Sequence, residues 1–487
     1  MKKTLSAMWS MGLLALTVGA APASVSGNDV ALKFDPEAYR VKTLRCPDGK
    51  TVSYRAYEHI YYVTNVEDST YQYLNFYVPE AVCQTDSHVP ILLRTYVGGY
   101  MAARAVEPDA IDATGRALSE GYAVCIPGSR GSNAVVTLPG GEKHFTGRAP
   151  AGLLDLKAAV RYLHYNDALM PGDADRIVTD GTSAGGAMSS LLGATGNHPL
   201  YAPLLQQMGA ADARDDVFAA VCYCPITDLE HADMAYEWLY GCTNGGVRGL
   251  DAAQMEVSAQ LAAAYPAYLE GLGLRNPADG TLLTAANYPD YLKHYLKLSA
   301  QRACNEGCDI PRDIGICFYQ PEEEGGRRRP QSEVVTDIDL EKYLNYVVTT
   351  HPLKSPPAFD QAGVLDGRAT PENSLFGDAR GSVAHFTLYS LRRATANPTA
   401  TLPAEVEERV RLLNPMNFIG DASCRTAPHW YIRHGARDRD TAFQISVNLA
   451  TRLMNLGYDV DFALPWNRPH SGDYHLDDLF RWLQSIR

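Results

Sequence analysis

Apolar and polar residues alternate with two different periods along much of the chain. Short apolar runs such as VPILLRTYV, YAVCIPG and RIVTD are separated by stretches in which apolar residues recur at helical spacing. In the segment AGLLDLKAAVRYLHYN, the apolar residues that share one helix face are Leu153, Leu156, Val160 and Leu163. Strands that alternate with helices in this way predict a largely parallel sheet, and therefore an α/β fold.

The alternation returns near the C-terminus. Strands are predicted in HWYIRHG and YDVDFAL, and helices in TAFQISVNLATRLMNLG and LDDLFRWLQSI. Between residues 228 and 412 the pattern is lost, although helical pieces such as MEVSAQLAAAYPAYLEGL and DLEKYLNYVVTTH occur there. We therefore predict an α/β core formed by residues 24–227 and 413–487, with residues 228–412 inserted as a cap. Within the cap, EEEGGRRRP is interpreted as a solvated loop.

The segment GTSAGG, residues 181–186, lies where the predicted strand RIVTD gives way to the predicted helix AMSSLLGATG. In a G-x-S-x-G turn the serine sits on a sharp strand-to-helix bend, and small neighbours let the backbone close tightly. The bend exposes the serine oxygen beside a helix N-terminus, whose free N–H groups can stabilise an oxyanion. Because strand and helix flank the motif, we predict Ser183 as a nucleophile.

A serine hydroxyl becomes a good nucleophile only when a base takes its proton, and the expected chain order is serine, acid, histidine. Asp438 follows the strand HWYIRHG and is the predicted acid, with Asp440 as the alternative. His470 lies between the strand YDVDFAL and the last helix and is the predicted base. His434 and His475 are the alternatives for that role.

The oxyanion would be held by backbone N–H groups. One is expected from Ala184, the residue after the nucleophile, and the other from the loop after an early strand. In LLRTYVGGYMA, Gly98 and Gly99 end such a strand, and glycines allow the backbone to approach a tetrahedral oxygen closely.

Residues 1–23 have the pattern of a signal peptide, because two lysines precede an apolar stretch that ends in Ala-Pro-Ala. The apolar part is shorter than the roughly 20 residues that a membrane span needs. We therefore expect a secreted or periplasmic protein with no membrane association after cleavage. The net charge of −13 argues against nucleic acid and anionic membranes as partners. The sequence carries no indication of the oligomeric state.

Ten cysteines in an exported chain predict disulfides, because an oxidising compartment lets nearby pairs close. Cys304 with Cys308, and Cys46 with Cys83, are the candidate pairs. The two cysteines of AAVCYCP are assigned to buried packing. No metal is predicted, since no second Cys/His pair stands at a zinc-ligand spacing from the C-x3-C segment.

With these pieces in order, the sequence resembles the bacterial tannases, gallate-ester hydrolases of the α/β-hydrolase superfamily. The stretches that carry the resemblance are VGGY, APAGLLDLKAAVRYL, DGTSAGGAMSSLLGATGNH, CPITDLEHADMAYEW, PPAFD, PENSLFGD, HFT, YIRHGARDRDT and PHSGDYHLDDLF. They span most of the chain after residue 23, including the insertion. The resemblance implies an α/β-hydrolase fold whose cap covers the acyl pocket, and a galloyl-serine intermediate formed on Ser183 with His470 as base and Asp438 as its partner.

The resemblance also implies that polar residues of the cap and of the acid loop recognise the three ring hydroxyls. Lys354, Glu372 and Asp440 occupy the matching stretches KSPPAFD, PENSLFG and RDRDT. Phenolic hydroxyls donate hydrogen bonds to carboxylates, and a site built for them rejects analogues that leave its polar groups unpaired. The segment QAGVLDGRAT between Lys354 and Glu372 departs from the family pattern.

We therefore predict an exported serine esterase that needs no cofactor and cleaves galloyl esters, including depside bonds between galloyl groups. Its partner would be a small phenolic ester. Three alternatives remain open at this point: an esterase for feruloyl or other phenolic acids, a prolyl-type serine peptidase, and a non-enzymatic binding module. A peptidase would need a cap site for a peptide N-terminus, and the sequence shows no sign of one.

Overall fold

A nine-stranded sheet forms the centre of the computed structural model, which describes residues 32–85, 88–319 and 333–486. The predicted signal peptide and the loop EEEGGRRRP lie outside these ranges. The strands in chain order are β1 (Arg40–Arg45), β2 (Thr51–Tyr61), β3 (Tyr73–Pro79), β4 (Pro90–Thr95), β5 (Ala123–Pro127), β6 (Val135–Thr137), β7 (Lys143–Phe145), β8 (Asp173–Thr182), β9 (Ala219–Tyr223), β10 (Ile316–Phe318), β11 (Val335–Ile338), β12 (His429–Arg433) and β13 (Asp459–Ala463).

Helices connect the strands and are the main regular elements of the segment between β9 and β12. They are α1 (Glu80–Cys83), α2 (Ala113–Ser119), α3 (Ala151–Tyr165), α4 (Ala184–Ala194), α5 (Ala202–Gln207), α6 (Leu229–Tyr240), α7 (Ala252–Gly271), α8 (Tyr288–Asn305), α9 (Leu340–Thr350), α10 (Pro371–Leu375), α11 (Leu388–Ala394), α12 (Ala404–Leu412), α13 (Phe443–Asn455) and α14 (Leu476–Ser485). None of the helices in the described ranges is long and apolar enough to cross a membrane.

The sheet has the order β1-β2-β3-β5-β4-β8-β9-β12-β13. From β5 to β13 every neighbouring pair is parallel, whereas β1, β2 and β3 are joined to the edge by antiparallel pairing. The predicted α/β class with a mainly parallel sheet is confirmed. The N-terminal antiparallel strands were not predicted, because β1 is exposed or half-buried along its length and lacks an apolar run.

Helices cover both faces of the sheet, so the side chains of its central strands are buried in both directions. On one face, Leu92 of β4 and Val178 of β8 pack with residues of α2 and α14. Their strand neighbours Leu93 and Ile177 point to the other face and pack with residues of α3, α4 and α13. Burial on both faces explains why these strands appear in the sequence as continuous apolar runs.

The segment between β9 and β12 shares its apolar core with the sheet. Leu292 of α8 and Val347 of α9 belong to the same buried cluster as Leu449 of α13. The small antiparallel pair formed by β10 and β11 also lies in this segment.

All ten cysteines lie in the described ranges, and each is free. Neither predicted disulfide is therefore present. Cys46 follows β1 and Cys83 ends α1 after β3, and β2 lies between those two strands. Cys304 is in the last turn of α8, whereas Cys308 lies beyond the helix end, where its backbone N–H donates to the carbonyl of Ala303.

Candidate active site

Ser183 connects β8 to α4 in a backbone conformation that few side-chain-bearing residues adopt. Its φ is 62° and its ψ is −124°. Such a conformation costs free energy and persists only where neighbouring structure holds it. Here the end of β9 holds it, because the N–H of Ser183 donates to the carbonyl of Tyr223 at 2.9 Å and the N–H of Ile226 donates to the carbonyl of Ser183 at 3.2 Å.

The small residues around Ser183 are required by the close approach of other backbone segments. A Cβ on Gly181 would lie 2.2 Å from the carbonyl oxygen of Gly185, and one on Gly186 would lie 2.6 Å from that of Tyr223. Both distances are far below van der Waals contact. The glycines of GTSAGG therefore allow the helix to begin directly against β8 and β9.

Three side chains from the carboxyl edge of the sheet form a chain of hydrogen bonds. Nε2 of His470 lies 2.8 Å from Oγ of Ser183, and Nδ1 of the same ring lies 2.6 Å from Oδ2 of Asp438. Ser183 follows β8, Asp438 follows β12 and His470 follows β13. The structure thus brings together the three residues predicted as nucleophile, acid and base.

The carboxylate of Asp438 is fully buried but well compensated. Burial alone would raise its pKa, yet the neighbouring histidines, His470 first, and the backbone N–H of Asp440 at 2.8 Å lower the pKa well below its usual range. Burial disfavours the charged ring of His470, but the Asp438 carboxylate outweighs this effect and raises the pKa of His470 well above its usual value. The pair therefore favours an anionic aspartate beside a ring that readily holds a proton.

The alternative acid and bases occupy other positions. His434 is buried, with Nε2 3.3 Å from Oδ2 of Asp438, the oxygen that pairs with His470, and Nδ1 2.9 Å from Oγ of Ser446. His475 begins α14, and its Nδ1 lies 3.9 Å from a carboxylate oxygen of Asp478. Asp440 is half-buried at the end of the acid loop, where its backbone rather than its carboxylate contacts Asp438.

The predicted oxyanion-binding residues lie next to the serine turn. Ala184 is the first residue of α4, so its N–H has no partner within the helix. The loop after β4 packs against the same helix end, because a Cβ on Gly185 would lie 3.0 Å from the carbonyl oxygen of Val97. In that loop the space beside Gly98 is open, because a Cβ there would meet no atom within 4 Å. Gly99 has a φ of +55°, a backbone conformation that glycine adopts readily.

Cys224 lies beside the histidine and the aspartate, a position that was not predicted. Its thiol sulfur is within 4.8 Å of side-chain ligand atoms of Asp438 and His470, and it donates to the carbonyl of Ser471 at 3.4 Å. Cys222 and Cys224 are both buried, as expected for packing. Cys224 follows the end of β9 and has a φ of 43°, so it lies outside the strand that contains Cys222.

The residues implied to contact the aromatic ring come from two loops and a short helix. The ammonium of Lys354 lies 3.9 Å from the centroid of the Phe359 ring. Glu372 of α10 is only 6% exposed, and burial raises the pKa of its carboxyl although the charge of Lys354 acts in the opposite direction. Despite the extra segment between them, the charge of Lys354 therefore still acts on the carboxyl of Glu372.

The loop of Lys354 also meets the loop of Asp440. The hydroxyl of Tyr236 accepts a hydrogen bond from the N–H of Lys354 at 3.2 Å and donates one to the carbonyl of Arg439 at 2.5 Å. Tyr236 itself was not predicted. It lies inside the helical stretch LEHADMAYEW, where nothing in the apolar pattern distinguishes a linking tyrosine from a packing one.

Comparison with known proteins shows relatives of similar overall structure. A family model described as BD-FAE matches residues 74–241. Curated proteins include no match to this chain. A solved tannin acyl hydrolase in complex with 3,4-dihydroxybenzoate is 39% identical, covers 93% of this chain and 98% of its own, and has a TM-score of 0.81.

Two further solved structures are similarly close. A tannin acyl hydrolase in complex with ethyl gallate is 38% identical, with 93% of this chain and 98% of that chain covered and a TM-score of 0.81. The tannase of Fusobacterium nucleatum is 36% identical, with 94% and 100% covered and a TM-score of 0.82. Since the fold, nearly the whole length and more than a third of the residues are shared, this chain belongs to the tannase family of α/β-hydrolases.

Proposed function

We propose that this protein hydrolyses galloyl ester bonds of tannins and simple gallates, including depside bonds, and releases gallic acid. The observation that carries the proposal is the hydrogen-bonded chain from Ser183 through His470 to Asp438 in a member of the tannase family. The complexes of related tannin acyl hydrolases with ethyl gallate and 3,4-dihydroxybenzoate support a small phenolic ligand.

In the first half of the reaction, His470 takes the proton of Ser183 as Oγ attacks the ester carbonyl. The carbonyl oxygen becomes negatively charged. It accepts hydrogen bonds from the N–H of Ala184 and from a backbone N–H of the loop that contains Gly98 and Gly99. Asp438 stabilises the imidazolium. His470 then donates its proton to the departing alcohol, which leaves a galloyl-serine ester.

In the second half, a water molecule replaces the alcohol. His470 takes a proton from this water, which attacks the acyl carbon, and the proton then returns to Oγ of Ser183 as gallate leaves. No step requires an electron acceptor or a cofactor, because the acyl group is transferred only between oxygen atoms.

Recognition of the aromatic ring is assigned to Lys354, Glu372 and Asp440. A carboxylate accepts hydrogen bonds from phenolic hydroxyls, and an ammonium donates to a phenolic oxygen. Burial of Glu372 supports a role in selectivity, because an analogue without ring hydroxyls would offer that buried carboxyl no hydrogen-bond donor.

Export completes the proposal. Residues 1–23 are proposed to be removed by signal peptidase, and the enzyme would then act in the periplasm or outside the cell. The sequence pattern of this segment supports the proposal. N-terminal sequencing of the protein after expression in a bacterium with an export pathway would test it, and a mature protein that begins at Met1 would contradict it.

Gallic acid release from methyl gallate is the direct test of the activity. The wild type should release gallate, and Ser183→Ala should lower kcat by a factor of about 10⁴ or more while leaving the fold intact. Methyl ferulate and an aminoacyl-proline amide serve as comparison substrates. A higher kcat/KM on ferulate would favour a different phenolic-acid esterase, and unchanged hydrolysis by Ser183→Ala would overturn the assigned nucleophile.

A further inference from the structure

One face of α6 contacts the loops of Lys354 and Asp440 and is connected to the helix of Glu372 through Asp360. Counted from Asp233, Tyr236 is three positions and Glu237 four positions further along the helix. The three side chains therefore lie on the same side of α6. All three are at least 97% buried. None of them contacts Ser183, His470 or Asp438 through a described hydrogen bond, so they lie outside the catalytic chain.

Glu237 acts on Lys354 through Arg248. The arginine side chain is 2% exposed and the glutamate 0%, and their two N–O distances are 2.6 Å and 2.8 Å. The nitrogen Nη2 of Arg248 also donates to the carbonyl of Lys354 at 2.7 Å. Because the hydroxyl of Tyr236 accepts from the N–H of Lys354, both backbone polar groups of that lysine are held from the α6 side.

Asp233 holds the other end of the same loop. Its two carboxylate oxygens accept from the N–H groups of Phe359 at 2.7 Å and Asp360 at 3.0 Å. Phe359 carries the ring on which the Lys354 ammonium lies. The loop from 354 to 360 is therefore fixed at both ends by one helix face.

The contacts continue from that loop to Glu372. The buried carboxylate of Asp360 accepts from Nδ2 of Asn373 at 2.7 Å, and Asn373 is the neighbour of Glu372 in α10. On the opposite side, Tyr236 donates to the carbonyl of Arg439, which precedes Asp440. All three ring-recognition residues are thus connected to α6 through backbone or nearest-neighbour contacts.

We propose that the α6 face formed by Asp233, Tyr236 and Glu237, together with Arg248, is the positioning element that sets selectivity for the hydroxylated acyl ring. This inference rests on the proposed function, because it assigns these residues to the ring-recognition site. They touch no substrate themselves. Arg248 in particular positions Lys354, whose flexible side chain needs a fixed backbone to present its ammonium at one place.

A displacement of about 1 Å in a substrate-positioning group lowers the rate by as much as 100-fold. Loss of the Arg248 contact should therefore reduce turnover of ring-hydroxylated esters and leave esters without an aromatic acyl group unaffected. To avoid an unpaired buried charge, the change is made as the double substitution Arg248→Gln with Glu237→Gln, which keeps amide groups able to hydrogen bond. Tyr236→Phe provides a smaller change in the same contact.

The measurement is kcat/KM for methyl gallate and for 4-nitrophenyl acetate, whose acyl group has no ring. We expect the double substitution to lower the value for methyl gallate about 10- to 100-fold and that for 4-nitrophenyl acetate less than about twofold. Tyr236→Phe should give the same pattern with a smaller effect: a lower value for methyl gallate and almost no change for 4-nitrophenyl acetate. The exposed cap pair Arg393 and Glu256, 3.3 Å apart, is the matched control, because its conversion to two glutamines leaves α6 unaltered.

Combination with Lys354→Met separates positioning from general damage. If Arg248 acts through Lys354, the double substitution should cause little further loss for methyl gallate once Lys354→Met is present, because interacting sites are not additive. A full additive loss, or an equal loss on both substrates, would overturn the inference. If Lys354→Met alone leaves methyl gallate turnover unchanged, the ring-recognition role of Lys354 in the proposed function fails instead.

Discussion

Arg94 and Asp473 form an ion pair, with Nη2 2.6 Å from Oδ2, that joins the centre of the sheet to the loop carrying His470. Arg94 lies in β4 opposite Asp180 of β8 and makes a second contact of 2.6 Å with that carboxylate. The arginine is buried between the two acids. The loop is further confined at Gly472, where a Cβ would lie 1.9 Å from Oγ1 of Thr182.

Asp473→Ala should therefore disturb catalysis as well as stability. The substitution removes one partner of a buried arginine and the acceptor for the N–H of Ala113 at 3.2 Å, so we expect the free energy of unfolding to fall by about 2 kcal/mol. Because the anchor of the His470 loop is lost, kcat for methyl gallate should fall while KM changes little. Urea denaturation and steady-state kinetics measure the two effects. A stability loss with unchanged kcat would limit Asp473 to a structural role.

Asp438→Asn should move the acidic limb of the pH–rate profile. The base must be neutral to accept a proton, and the Asp438 carboxylate raises the pKa of His470 against the opposing effect of burial. In the wild type, activity should therefore keep rising with pH beyond 6.5, the ordinary pKa of histidine. The substitution removes the anion, so the limb should shift to lower pH, while kcat falls about 10⁴-fold. An unshifted limb would show that another group controls it.

Two glycines near the serine should respond differently to alanine. At Gly186 the new Cβ would lie 2.6 Å from the carbonyl oxygen of Tyr223, so the serine turn cannot form without backbone movement. We expect Gly186→Ala to lower the melting temperature and abolish activity. At Gly98 the Cβ has open space, so Gly98→Ala should keep the melting temperature and lower kcat, if this loop approaches the oxyanion as proposed. Thermal melts and methyl gallate kinetics distinguish the two outcomes, and full activity of Gly98→Ala would show that a Cβ at position 98 does not obstruct the oxyanion.

Glu372→Gln should weaken selection for ring hydroxyls. A hydrogen bond to a charged acceptor contributes about 1.5 to 3 kcal/mol, which corresponds to a factor of roughly 10 to 100 in kcat/KM. We expect a loss in this range on methyl gallate and almost none on methyl benzoate, which lacks the hydroxyls. The ratio of the two values is the measurement. An equal loss on both esters would indicate a general effect on the cap.

Much of the core was predictable because its signals are local. The strands β4, β5, β8, β12 and β13 correspond to apolar runs, and α3 and α13 correspond to apolar residues at helical spacing. The strands β1–β3 and the helix α8 were not predicted; β1 is exposed or half-buried along its length and has no apolar run, whereas β3 is buried over six of its seven residues. In the cap, polar side chains such as Asp233 and Asp360 are buried against partners distant in the chain. The apolar pattern of the neighbouring residues does not indicate such contacts.

The sequence by itself determined the parallel α/β class, the serine turn and the order in which nucleophile, acid and base follow one another, because these depend on neighbouring residues and on short motifs. Only the tertiary structure decided that Asp438 rather than Asp440 contacts His470, that Cys224 lies beside them, and that one face of α6 holds the ring-recognition loops. Those relationships depend on distances of a few ångströms between segments as far as 247 residues apart, and packing of the whole chain sets such distances.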